Sequence, residues 1–136
     1  MKNSIAVRNA ELDAYEATVG ASPLIKFFFE AEPANCGAAD AGSARAAGTL
    51  PADWMGAAAA GVKSKAGAWT LTGQVAAGTG TDVTHYRIYD AAGTTCHEQG
   101  SVTVTGGGGN IEVDNVNIAN NQVVTITGWT RTAGNA

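Results

Sequence analysis

The stretch TVTGGGGNIEVDN, Thr103 to Asn115, places four consecutive glycines between two strand-like segments. Glycine runs can grip phosphate when backbone N–H groups and a helix N-terminus converge on the anion. That arrangement needs a strand, spaced glycines and then a helix, with Lys-Ser/Thr in the Walker form. Here Gly106–Gly109 lead into NIEVDNVNI, which reads as strand, and no lysine is near. A strand-connecting loop at the rim of a β-domain is the expectation, with backbone freedom mattering more than side-chain chemistry.

The second group is Cys96-His97-Glu98, with His85 on the segment expected to pair with it. Neighbours in a strand point to opposite faces, so Cys96 and His97 do not readily share a metal. No C-x2-C or H-x3-H spacing supplies the three or four ligands that zinc requires. If Ile88 pairs with Cys96, then Cys96 belongs to the core with Tyr86 and Ile88, and His97 to the surface. Cys36 and Cys96 could bridge on parity alone, but a reducing cytoplasm favours two packed thiols.

Nucleophilic catalysis has no support. The segment AGSARAAG lacks the glycine two places after Ser43 that a nucleophile elbow needs. Twelve Asp and Glu residues make chance carboxylate pairs inevitable, so pairing alone indicates nothing. No catalytic residue, cofactor or metal site is read from the sequence, and an enzyme is not expected. Trp54, Trp69 and Trp129, with Tyr86 and Tyr89, are either packing anchors of a small core or a stacking face for sugars.

The elements that must position these residues are mostly strands. One amphipathic helix is expected over residues 3–19, with Ile5, Leu12, Tyr15 and Val19 on one side. Ser4 suits its N-cap and Gly20 its end. PLIKFFFE (23–30) is a strand whose Phe27, Phe28 and Phe29 must bury on both faces, or on one face and an interface. Residues 31–48 read as a small-residue loop with at most one irregular strand, and LPADWM as a turn or a single helical turn. Further strands are expected at 61–66, 67–76, 83–90, 94–105, 110–118 and 122–131, with 85–99 the clearest hairpin. The predicted class is all-β: an antiparallel β-sandwich or jelly roll with one short N-terminal helix. Residues 1–20 form the helical arm and 21–136 a single β-sandwich domain.

The chain's 136 residues suffice for one core, and with 45% hydrophobic but only 7% aromatic residues that core is built from small side chains. Charged residues are 15%, low for a solvated monomer, which favours a surface partly covered by partners. The net charge of −4, with eight scattered Lys and Arg, argues against nucleic-acid binding. No apolar run reaches membrane-span length, and MKNSIAVRNAELDAYE lacks the apolar segment of a signal peptide.

RNAELDAYEATVG, SPLIKFFFEAEPANC, LPADWM, GVKSKAGAW, HYRIYDAAGTTCHEQGSV, GGGGNIEVDN and QVVTITGWTRTAGNA together resemble a family of small structural proteins of tailed-bacteriophage virions. The resemblance runs nearly end to end. Within that group the chain is most similar to a capsid cement, or decoration, protein. Membership implies a small jelly roll that sits as a dimer or trimer on the outer surface of the major capsid protein lattice and stabilises the mature head. It implies residence in the virion after assembly in the host cytoplasm; from charge and hydropathy, no nucleic-acid or membrane partner is expected. The alternatives are a tail, collar or fibre-associated virion protein touching host glycans, and a carbohydrate-binding β-sandwich outside phages. Candidate protein–protein contacts are Ile5, Leu12, Tyr15 and Val19 on the helix, and Phe27, Phe28 and Phe29 on the first strand. Packing within the subunit is the equal alternative for both sets.

Overall fold

A computed structural model describes residues 1–134. The helix α1 spans Ile5–Val19. Ser4 Oγ accepts the Val7 N–H at its start, and Gly20, at φ +87°, ends it where a residue with a Cβ would be strained. Ten strands follow: β1 Leu24–Phe28, β2 Ala46–Thr49, β3 Val62–Ser64, β4 Thr70–Gly73, β5 Thr81–Asp82, β6 His85–Tyr89, β7 Cys96–Val104, β8 Ile111–Val113, β9 Asn117–Ile118 and β10 Val123–Thr132.

The chain is all-β with one N-terminal helix, as its patterning requires. In place of two facing sheets, however, one sheet closes on itself in the order β10-β4-β2-β1-β6-β7-β8 and back to β10. Closure depends on β10, which is long enough to serve three partners. Its first third pairs with β4, Ile126–Trp129 with β8, and Thr130–Thr132 with β3. The resulting seven-stranded barrel is not wholly antiparallel, because β7 and β8 run parallel. β5 and β9 form a separate two-stranded ribbon, whose Ile118 packs into the same core.

Inside the barrel, alternate residues of each strand build one core: Ile25 and Phe27, Leu71, Tyr86 and Ile88, Val102, Ile111 and Val113, Val124 and Ile126. Trp54, Trp69 and Trp129 meet there with ring centroids 5.4–6.0 Å apart. LPADWM forms no helical turn; it drops Trp54 and Met55 into this core.

The helix is fastened to the barrel. Leu12 and Val19 are buried and Tyr15 packs against the core. Lys63 on β3, only 3% exposed, pairs with Asp13 at 2.8 Å and with Glu16. Arg8 Nε donates to the Ala133 carbonyl at 3.0 Å, and Trp54 Nε1 to that of Gly20 at 3.0 Å.

Residues 29–45 form a second fastening, a strap over the outer face of β1 and β6. This accounts for β6 being buried at every position: Tyr86 and Ile88 face inward, while His85, Arg87 and Tyr89 lie under the strap. A bulge at His97 shifts the hairpin register, pairing Ile88 with Glu98 and Tyr89 with Cys96. Cys96 therefore leaves the core face expected for it. It forms a disulfide with Cys36 in the strap, in place of the two thiols expected from the compartment argument.

Candidate functional site

The densest polar site lies at one end of the barrel interior. Glu98, opposite Ile88 in the register, points inward, on the face it shares with Val102 by strand alternation. Its Oε1 accepts from Trp129 Nε1 at 3.0 Å and from the Tyr86 hydroxyl. Its Oε2 accepts from the Tyr15 hydroxyl at 2.6 Å and from the Arg131 guanidinium at 2.5 Å. Arg131 also stacks on the Tyr15 ring, 3.9 Å from its centroid. Four donors thus satisfy a carboxylate that burial alone would penalise. Burial, followed by the Glu98 charge, drives both tyrosine hydroxyls well above the ordinary phenol range. They remain hydrogen-bond donors at every physiological pH. The network opens on a cleft of about 310 Å³ between β7 and β10.

On the outer face, Arg87 is 1% exposed and its guanidinium is nearly saturated. Nη1 donates to Asp40 at 2.6 Å, and Nη2 to the carbonyls of Asn35, Cys36 and Ala38 at 3.0–3.2 Å. The Tyr89 hydroxyl also donates to Asp40, and Lys26 Nζ lies 3.7 Å away. Partial burial pushes the Asp40 carboxyl upward, but the Tyr89 and Arg87 hydrogen bonds and the Lys26 charge outweigh it and hold it below 3.8. His85 stacks on Phe28 at 5.1 Å, and burial lowers its pKa below 6.5. With Cys36–Cys96 and the 2.5 Å bond from Gln99 Nε2 to the Pro33 carbonyl, these groups lock the strap down.

The glycine run is a third built feature. The chain must reverse between Val104 and Ile111 to place β8 parallel to β7, a tight connection for a parallel pair. Gly106 and Gly108 take φ of +84° and +80°. A Cβ on Gly107 would come 2.7 Å from Thr103 Cβ, and one on Gly109 2.8 Å from Thr103 Oγ1. The N–H groups of Gly106 and Gly108 donate to the Glu112 carboxylate, both at 3.1 Å, and that of Gly109 to Thr103 Oγ1 at 2.9 Å. The loop does cradle an anion, but the anion is the chain's own Glu112. It is a folded reversal rather than a free rim connection.

The candidate contact residues separate by position. Leu12, Val19, Phe27 and Phe28 lie inside this chain's own fold, and Tyr15 is held by Glu98, so none of the five offers a free surface. Ile5, 58% exposed, and Phe29, 49% exposed, do face outward, as do Val7, Val75, Val104 and Val123. Val75, Val104 and Val123 were missed because isolated valines in strand-like segments carry no outward signal, and Val7 because it was not among the residues assigned to the helix's apolar side. Trp54, Trp69, Trp129, Tyr86 and Tyr89 are all buried, which removes the sugar-stacking face as a reading of those rings. His85 and His97 join no metal-binding group among the described residues. No helix among them is long and apolar enough to cross a membrane. Comparisons with protein-family models, with curated proteins and with solved structures find no match to this chain.

Proposed function

We propose that this chain is a non-enzymatic structural protein of a tailed-bacteriophage virion, a capsid cement that binds the outer surface of the major capsid lattice as an oligomer. The observation that carries this reading is the use of its cross-linking polar groups, of which Arg87 and Lys63 are buried. Glu98, Arg87, Asp40 and Lys63 each tie one element to another, joining helix to barrel, strap to barrel and strand to strand. A small domain fastened at both its helix and its longest loop is suited to bearing load without unfolding locally. The sandwich or jelly roll expected of such proteins and a closed barrel serve this role alike, since both limit free strand edges. The low surface charge and the separate outward Ile5, Val7 and Phe29 suit many modest contacts repeated over a symmetric lattice. A cement protein that prefers the expanded lattice stabilises that state by linkage.

The test compares heads that carry the protein with heads that lack it. Heads lacking it should rupture several degrees lower and regain stability when the purified protein is added. Its copy number should be comparable with that of the major capsid protein. Equal rupture temperatures, or only a few copies per particle, would move the chain to the tail or collar or off the virion.

A further inference from the structure

β8 has three residues, yet it sits between the nine of β7 and the ten of β10. It pairs with β7 only at Val102–Val104 and with β10 only at Ile126–Trp129. Beyond Ile111, β7 runs back to Cys96 and β10 runs on to Thr132. No strand among the described residues lies between them. Their far edges are both paired, β7 with β6 and the end of β10 with β3. The barrel wall therefore has a slot one strand wide. The 310 Å³ cleft lies at this slot, lined by Glu98, Gln99, Asn110, Trp129, Thr130 and Thr132 among others.

Strand alternation assigns the main-chain groups that face it. The Val102 N–H goes to Thr84 beside β6, whereas the Thr105 N–H goes to Val113 in β8, so odd-numbered residues of β7 turn toward the slot. The Ser101 N–H is taken by the Asn110 side chain at 3.0 Å, a substitute for the missing strand. Gln99 comes next: its main-chain N–H and C=O face the slot, while its side chain goes to the Pro33 carbonyl of the strap. On β10, the Trp129 carbonyl accepts from Lys65 and the Ala133 N–H donates to Gly61, both on the β3 side. Thr130 and Thr132 consequently present their N–H and C=O groups to the slot.

We propose that this slot is a strand-addition site for an extended segment of a different protein. The segment enters in line with β8, parallel to β7 and antiparallel to β10. About four residues fit at ~3.3 Å each. Main-chain bonds to Gln99, Thr130 and Thr132 provide the recognition, as in other strand additions. The inward side chains must be small, because Tyr86 and Trp129 already fill the interior, and neutral, because Arg131 already balances Glu98. A second copy of this chain is disfavoured as occupant. Its neutral small-residue segments are held in place, the strap by Arg87 and the disulfide and the glycine run by Glu112. The slot is a property of the barrel and does not depend on the virion assignment.

The test screens the full, disulfide-intact chain against neutral octapeptides of Ala, Ser, Thr and Gly. A binding peptide should slow amide exchange at Gln99, Thr130 and Thr132 by at least about tenfold. One set of alternate peptide N–H groups faces β7 and the intervening set faces β10, so N-methylation at a central residue of either set should weaken binding by about tenfold. Thr130→Pro removes a slot-facing N–H and should weaken binding similarly; Gln99→Pro serves as a second variant should the first not fold. The proposal is overturned if no peptide binds at millimolar concentration, if N-methylation of either set leaves binding unchanged, or if protection appears elsewhere. Self-association that protects the same amides also overturns it, by making a second copy the occupant.

Discussion

Glu98 collects donors from α1, β6 and β10, so one carboxylate couples three elements that are distant in sequence. Glu98→Gln keeps the shape but turns one acceptor into a donor facing other donors. We expect a loss of about 2–4 kcal/mol in urea unfolding, and a Tyr15→Phe variant should lose less. Arg87 and Asp40 form the corresponding pair outside the barrel. Asp40→Asn should cost about 1 kcal/mol at neutral pH, since Asp40 is partly exposed and three carbonyls still hold the guanidinium. The same variant should flatten the acid limb of the stability profile. The folded carboxyl lies below 3.8, so its contribution is complete above that value and fades as pH falls through the lower folded value. Lys63 acts in the opposite direction. Burial would lower its pKa, but the hydrogen bonds it donates to Asp13 and Glu16, with their charges, raise it above 10.5. Its contribution is complete below 10.5 and is lost only as pH rises through the folded value, a limb that Lys63→Met should remove from an alkaline unfolding series.

Among the elements, the β7–β8 connection depends most on its residue types. Gly107 and Gly109 are glycines because Thr103 occupies the space a Cβ would need, and Gly106 and Gly108 because of their positive φ. Gly109→Ala should therefore destabilise more than Gly106→Ala, which meets open space and carries only left-handed strain of about 1–2 kcal/mol. Thr103→Ala should recover part of the Gly109→Ala loss in a double-mutant cycle, because two of the three close atoms belong to that side chain. Additive losses would show that the crowding lies elsewhere. The strap is held differently, by one cross-link and many hydrogen bonds to carbonyls. Without Arg87 it has little apolar area of its own with which to stay down, its composition being mostly Ala, Gly, Asn and Ser.

For the molecule as a whole, the disulfide closes a segment of 60 residues that holds three of the barrel's seven strands, β2, β4 and β6. Chain-entropy arguments assign such a closure about 4 kcal/mol, and a measured loss of about 2–4 kcal/mol on reduction or Cys96→Ser is the expectation. The helix contributes at the same scale. Deleting residues 1–19 removes Leu12 and Val19 from the core and leaves Lys63 without its carboxylates. The truncated chain should bind a hydrophobic dye and lose near-ultraviolet tryptophan signal while keeping its strand content. An unchanged tryptophan signal would mean that the barrel end is closed without α1.

Local patterning alone determined the class of this protein: one capped helix, strands near their observed places, and glycines where strand rather than helix follows. These follow from side-chain periodicity and turn chemistry, which are written within a few residues of where they act. Three outcomes were decided only by tertiary structure. Closure into a barrel depended on β10 reaching three partners. The meeting of Cys96 with Cys36 depended on a single bulge at His97, which takes Cys96 off the inward face that Glu98 and Val102 share by alternation. The slot beside β8 exists because neighbouring strands differ in length, a relation between segments that no one segment encodes. Strand pairing is non-local, so register and edge cannot be read from periodicity, and the candidate site is built from both.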